Sequence, residues 1–195
     1  MSTTRLEAFS DGVIAILITI MVLELKIPHG TDVRALLPQL PVLLTYLLSF
    51  VYVGIYWNNH HHMFHLVEAV SGGMLWANLN LLFWLSLVPF ATGWMGENHF
   101  APWPTALYGV VLLAAAVAYT LLQWTIVRLP HAGSRLAEAV GQDWKGKISL
   151  FCYLVAIPCA FFVVWISTLL YVAVALLWLI PDRRIEARLQ REHSA

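Results

Sequence analysis

Residues 5–25 read RLEAFSDGVIAILITIMVLEL, a stretch with charged and polar groups at the head of an apolar run. An α-helix of about 20 apolar residues crosses the hydrocarbon core of a bilayer, and this run is long enough to do so. An ionised carboxylate such as that of Asp11 is costly near bilayer depth, so it normally has a partner and a purpose. The stretch predicts a first membrane helix that carries a functional polar group close to its start.

The composition of the whole chain predicts an all-α integral membrane protein. Of its 195 residues, 60% are hydrophobic and only 11% are charged, whereas soluble domains carry about 25% charged residues. Apolar runs recur along nearly the whole length and leave no room for a separate soluble domain. This hydrophobicity makes the lipid bilayer an expected partner. The formal net charge is zero, so the total charge indicates nothing about nucleic acid, which we do not expect as a partner.

Six apolar segments are long enough to be membrane spans. They cover residues 6–26, 35–60, 73–95, 104–128, 147–164 and 166–181. We therefore expect a six-helix transmembrane domain over 1–181 and a polar cytoplasmic tail over 182–195. The boundary near residues 162–166 is the weakest, and a five-span alternative with one long helix at that point stays open.

The positions of the cations indicate the orientation. With six spans, one side of the membrane carries Arg5, Arg128, Arg135, Lys145, Lys147, Arg183, Arg184, Arg188 and Arg191. The opposite side keeps only Lys26 and Arg34. Loops on the cytoplasmic side are enriched in Lys and Arg, so both termini are predicted to be cytoplasmic.

One face of the first helix is continuously apolar apart from a single hydroxyl. At about 100° per residue, that face holds Phe9, Gly12, Ile16, Thr19, Ile20, Leu23 and Ile27. Asp11 points roughly 140° away from Ile16. Other faces of the helix are equally apolar, so periodicity alone does not separate a pore lining from ordinary helix packing.

Several polar residues of the first three spans are expected at the depth of Asp11. The second span ends in YWNNHHHMFH, and the third begins with MLWANLNLLFW. We predict a buried hydrogen-bond cluster at this level, because buried polar groups need partners. Its candidate members are Arg5, Ser10, Asp11, Trp57, His60, His61, His62, Asn78 and Asn80.

The pattern R-x-x-x-F-S-D, formed by Arg5, Phe9, Ser10 and Asp11, resembles the signature of the transmembrane protein 175 family of potassium channels. The strings WNNHHHMF and NLNLLFWLSLVPFAT are similar to that family as well. F-S-D occurs once, as in the single-repeat prokaryotic form, whose subunits assemble as tetramers. The resemblance implies a pore lined by the first helix, with its constriction at Ile16 and a pore-lining hydroxyl at Thr19.

The function implied is a potassium-permeable cation channel in a cell membrane, in keeping with a bacterial plasma membrane. The expected constriction is formed by Ile16, Thr19, Ile20 and Leu23, and closes by dewetting. The sequence has no TVGYG-like filter. We expect no cofactor other than the permeant K⁺, and a homotetramer as the assembly.

Two other functions are alternatives to the channel. Asp11 and nearby histidines could relay protons in a proton-coupled secondary transporter or a proton-conducting channel. His61 and His65 have the i,i+4 spacing of helical metal ligands, so with Asp11 they could form a membrane-embedded metal enzyme. No nucleophile–base pair or phosphate loop is visible in the sequence, so we do not expect an enzyme.

Overall fold

The computed structural model describes residues 3–64, 67, 70–128 and 143–179, and every regular element within them is helical. A short 3-10 helix, Val33–Gln39, precedes the second α-helix. The α-helices are α1 (Thr3–Val22), α2 (Leu40–Phe64), α3 (Gly72–Ser86), α4 (Val88–Glu97), α5 (Pro102–Val127), α6 (Trp144–Phe162) and α7 (Val164–Leu179). The predicted all-α class is confirmed.

Four helical segments are long and apolar enough to cross a membrane. They cover residues 33–64, 72–97, 102–127 and 144–162. The helices of the two other predicted spans are not both long and apolar enough. The α7 helix is apolar but shorter, and α1 carries the charged residues Arg5, Glu7 and Asp11. Six membrane spans therefore remain a prediction, and the predicted tail at 182–195 lies outside the described residues.

The last two helices form a tight antiparallel hairpin. Val163 interrupts the helical backbone with φ −144° and ψ 86°. The Ser167 hydroxyl then donates to the carbonyl oxygen of Ala156 at 2.7 Å, and the Trp178 indole donates to the Ser149 hydroxyl at 2.9 Å. Because these contacts join the start of one helix to the end of the other, a single long helix in this region is excluded.

The third predicted span is broken near its middle into α3 and α4. Pro89 sits in the first turn of α4, where a residue without an N–H group is best tolerated. The break brings α4 against α2 so closely that a methyl group on Gly96 would lie 2.8 Å from Val42 Cα. Glycine at position 96 therefore permits backbone-to-backbone packing between these helices.

Contacts between the helices show that their directions alternate along the chain. Ser10, His60 and Asn78 lie together at one end of the bundle, which we call the motif end. Asn59, Asp143 and Trp178 line one cleft near that end. At the opposite end, the Lys26 ammonium donates to the Glu97 carboxylate at 2.5 Å, a contact that raises the pKa of Lys26. Ser10, near the start of the first helix, and Trp178, near the end of the last one, thus lie at the same end of the bundle.

We predict that Gly96→Ala lowers the melting temperature of the purified protein, whereas Gly73→Ala leaves it nearly unchanged. A Cβ at position 96 would meet the Val42 backbone and the Thr45 hydroxyl, but one at position 73 would meet nothing within 4 Å. Overpacking of this kind costs about 1–3 kcal/mol. Thermal unfolding in detergent measures the difference, and equal melting temperatures for both variants would contradict the close α2–α4 packing.

Candidate functional site

A directional chain of hydrogen bonds joins the first three helices at the motif end. The Ser10 hydroxyl donates to the carbonyl oxygen of Leu6 at 2.9 Å, and Asn78 Nδ2 donates to Ser10 Oγ at 2.9 Å. Asn78 Oδ1 is therefore the acceptor that faces His60 Nε2 at 2.8 Å. This assignment makes His60 Nε2 a donor and fixes the ring tautomer. All three side chains are buried, so the chain ties α1 to both α2 and α3.

His60 has an unusual environment for a histidine in an apolar helix. Its ring stacks on Phe64 with the ring centres 4.4 Å apart. Its second nitrogen, Nδ1, is one of two buried side-chain polar atoms in the described chain without a hydrogen-bond partner. Protonating Nδ1 would place a charge against apolar surroundings, which is unfavourable. The packing therefore favours a neutral, orienting His60.

Asp11 is held by a second contact from α2. The Trp57 indole Nε1 donates to Asp11 Oδ1 at 3.0 Å, and the Trp57 ring stacks on His61 with ring centres 6.1 Å apart. Because it accepts this hydrogen bond, the Asp11 carboxylate points towards α2, away from the face of α1 that carries Ile16. Asp11 thus orients α1 against α2.

The structure separates the predicted cluster into two groups. Ser10, Asn78 and His60 form one buried chain, and Asp11, Trp57 and His61 form a second, more exposed set. His62 is exposed, although its ring lies 5.8 Å from that of His61. Arg5 and Asn80 are also exposed and take no part in either hydrogen-bonded group.

The opposite face of α1 is exposed in the described part of the subunit. Leu6, Ser10, Ile14, Leu17 and Met21 point into the bundle. Each residue of the sequence-predicted face is exposed instead, namely Phe9, Gly12, Ile16, Thr19, Ile20, Leu23 and Ile27; we call this set the α1 stripe. Leu23 and Ile27 lie beyond the end of α1 at Val22, so the helix is shorter than the predicted span over 6–26. The stripe leaves an exposed apolar surface along α1 and the residues after it, which can meet lipid or another copy of the chain.

Thr19 is the polar member of the α1 stripe. Its hydroxyl donates to the carbonyl oxygen of Ile16, one turn earlier, at 2.9 Å. With its proton used inside the helix, the Thr19 oxygen presents only lone pairs outward. Such an oxygen can accept a hydrogen bond from water or contact a cation.

A second buried polar network was not predicted from the sequence. The Thr92 hydroxyl lies 2.6 Å from Ser49 Oγ, which lies 2.9 Å from the Tyr108 hydroxyl. The Tyr52 hydroxyl donates to the carbonyl oxygen of Tyr171 at 2.6 Å. Tyrosine and hydroxyl residues inside apolar spans are the signal that could have revealed it, since such groups seek interhelical partners.

The structure gives no geometric support for the metal hypothesis in the part of the chain that it describes. No three His, Cys, Asp or Glu side chains gather there in a metal-binding arrangement. His65, one of the two histidines with helical metal-ligand spacing, lies outside the described residues.

Comparison with known proteins identifies similar chains. Residues 5–89 match the family described as "Endosomal/lysosomal potassium channel TMEM175". A potassium channel of Chryseobacterium sp. (strain P1-3) is 54% identical over 190 residues, covering 97% of this chain and 99% of its own. The crystal structure of a lysosomal potassium-selective channel TMEM175 homolog from Chamaesiphon minutus aligns with TM-score 0.80 and 30% identity, over 91% of this chain and 96% of that chain.

A human protein is also similar. The endosomal/lysosomal proton channel TMEM175 of Homo sapiens is 29% identical over 187 residues, which are 87% of this chain and 36% of the human one. Similarity thus extends well beyond the α1 motif, into the later helices.

We predict that Asn78→Ala destabilises the protein by about 1–3 kcal/mol, because Ser10 and His60 both lose a buried partner. Asn80→Ala is the matched control, since Asn80 lies on the same helix but is exposed. Thermal unfolding of both variants in the same detergent measures the difference. Equal stability would show that the Asn78 bridge contributes nothing to the fold.

Proposed function

This chain belongs to the TMEM175 family, as its sequence motif predicts, and we propose that it forms a potassium-permeable cation channel. The proposal is supported by the family match and by relatives that are named potassium channels. The observation that carries its mechanism is the α1 stripe, an apolar face that is exposed in the described subunit.

Several copies of the chain are needed to enclose a pore with one helix from each. A closed, symmetric oligomer satisfies this need, and we propose the homotetramer expected for single-repeat members of the family. In such an assembly the α1 stripes would face a shared axis. The buried side of α1, with Ile14, Leu17 and Met21, would fix each copy to its own bundle.

The proposed constriction lies along the middle of the α1 stripe. Rings of Ile16, Ile20 and Leu23 would narrow the pathway with apolar side chains, and these residues are 57%, 42% and 78% exposed in the isolated subunit. A narrow apolar neck holds no continuous column of water, so a hydrated cation cannot cross it when closed. Opening would require the α1 helices to move apart.

Thr19 is proposed as the polar contact within this constriction. Its hydroxyl proton is committed to the Ile16 carbonyl, which leaves the oxygen available to replace part of an ion's hydration shell. One side-chain oxygen per subunit coordinates an ion less completely than a cage of backbone carbonyls. We therefore expect potassium selectivity to be weaker than in channels with a TVGYG filter.

The hydrogen-bonded residues at the motif end are proposed to act structurally. Asp11 and Ser10 are directed towards α2 and α3, away from the α1 stripe. Their role would be to set the rotation of α1 about its own axis, and with it which side chains reach the pathway. Arg5 and Phe9, the other motif members, are exposed in the subunit and could contact neighbouring copies.

We propose six membrane spans, with both termini in the cytoplasm and the protein in the cell membrane. The described cations Arg5, Arg128, Lys145 and Lys147 belong to segments that end at the motif end, while Lys26 and Arg34 lie at the other. The positive-inside rule then assigns the motif end to the cytoplasm. Polar residues of α1 would be shielded from lipid by their partners in α2 and α3.

Proton conduction is the second candidate function. It is favoured by the name of the human relative, a proton channel, and by the position of Asp11 beside Trp57 and His61. Reversal potentials measured in a proton gradient without a potassium gradient distinguish the two. A potassium channel gives a reversal potential near zero there, whereas a proton channel follows the proton gradient.

We predict that Ile16→Asn increases potassium flux of the closed channel by about tenfold, as a barrier lowered by ~1.4 kcal/mol would. A polar ring keeps the neck hydrated, so ions leak through it. Leu154→Asn is the matched control, because Leu154 on α6 is 59% exposed against 57% for Ile16 but lies off the α1 stripe. Potassium flux is measured with the purified protein in planar bilayers or potassium-loaded liposomes. Equal flux in both variants would show that Ile16 does not form the constriction.

A further inference from the structure

A cleft of about 500 Å³, counting its open mouth, lies inside the subunit between α2, α5, α6 and α7. It is separate from the α1 stripe, and no part of the proposed pore uses it. Its walls include the aromatic residues Tyr52, Tyr56, Tyr119, Tyr153 and Trp178. Small-molecule sites are lined mainly by hydrophobic and aromatic side chains with a few polar groups, and the walls of this cleft have that composition.

The aromatic walls of the cleft are held in fixed orientations. The Tyr56 and Tyr119 rings meet edge to face, 6.0 Å apart, and the Tyr52 and Tyr153 ring centres are 6.4 Å apart. The Trp178 indole is anchored by its hydrogen bond to Ser149. The ring faces are therefore preorganised, which lowers the entropic cost of binding a ligand between them.

Asp143 is the one charged side chain among the described residues that line this cleft. It begins α6, with its carboxylate accepting from the backbone N–H of Gly146 at 3.1 Å. Its backbone is left-handed, with φ 32°, a conformation that Asp and Asn tolerate better than most residues. The cleft therefore combines aromatic faces with one negative charge.

A cation already approaches the same aromatic wall. The Lys145 ammonium lies 5.9 Å from the centre of the Trp178 ring, at the outer limit of a cation–π contact. The negative charge of the Asp143 carboxylate would repel an anionic ligand. We infer that the cleft binds a small alkylammonium group, with Asp143 as its counter-ion and the tyrosine and Trp178 faces around its methylene or methyl groups.

An alkylammonium group can come from a free amine or from an aminophospholipid headgroup. Tetramethylammonium is the probe for the first source, titrated into the full-length protein in detergent at constant ionic strength and followed by calorimetry. Phosphatidylethanolamine is the probe for the second, supplied in liposomes and compared with phosphatidylglycerol liposomes. Native mass spectrometry of the extracted protein then reports any retained lipid.

The decisive variant is Asp143→Asn, because asparagine keeps both the helix cap and the left-handed backbone while removing the charge. We expect saturable tetramethylammonium binding, retained phosphatidylethanolamine, or both, in the unmodified chain. Asp143→Asn should weaken that binding by about tenfold. Asp32→Asn is the control, since Asp32 also caps a helix but lies in the segment before α2, away from the cleft.

A second pair of variants tests the aromatic wall. Tyr119→Phe should retain binding and Tyr119→Leu should lose it, because the contact needs the ring rather than the hydroxyl.

Either of two results would overturn the inference. One is an unmodified protein that binds neither probe. The other is binding that Asp143→Asn and Tyr119→Leu leave unchanged, which would place the ligand elsewhere, including in the pore. Channel flux measured in the same variants separates this inference from the proposed function, since the cleft and the α1 stripe share no residue.

Discussion

The amide side chain of Asn78 is the point on which the arrangement of the first three helices depends. It accepts from one helix and donates to another, so a single buried group fixes α2 and α1 relative to α3. An aliphatic residue could do neither, and a hydroxyl would have to donate and accept through one oxygen, whereas the amide has its donor and its acceptor on separate atoms of a rigid plane. Polar contacts of this kind specify one helix rotation where apolar packing in lipid would allow several.

That rotation has a direct consequence for the other side of α1. Once Ser10 and Ile14 are turned inwards, the residues from Phe9 to Ile20 on the opposite face of α1 must point out of the subunit. The proposed channel uses this separation of roles: polar groups orient the helix, and apolar groups close the pathway. A mutation in the polar set would then alter conduction without touching an ion.

Sequence reasoning placed Ile16 and Ile20 on one face of α1 and expected Ser10, His60 and Asn78 to lie at one depth. Physical reasons explain both predictions. A helix has a fixed angle per residue, so the shared face of Ile16 and Ile20 follows from spacing alone. The meeting of Ser10, His60 and Asn78 followed from their equal depth along antiparallel spans. The direction of the stripe did not follow, because every face of the helix is apolar, and the family resemblance was needed to choose one.

Other features depend on tertiary packing that the sequence does not reveal. Asn80 is two residues from Asn78 and therefore points about 160° away from it, yet nothing in the string NLN says which of the two is buried. The break between α3 and α4 and the Ser49–Thr92–Tyr108 network require knowing which helices are neighbours. The tyrosine-lined cleft likewise arises from side chains of four helices that are far apart in sequence.

The central claim is that the α1 stripes of several copies converge on one axis, and a structure of the assembled protein in lipid nanodiscs tests it most directly. The account predicts a symmetric oligomer in which the Ile16 side chains lie nearest the axis and their own bundles lie outside them. An assembly with α1 at the lipid-facing periphery, or a monomer with its α1 stripe in lipid, would contradict it.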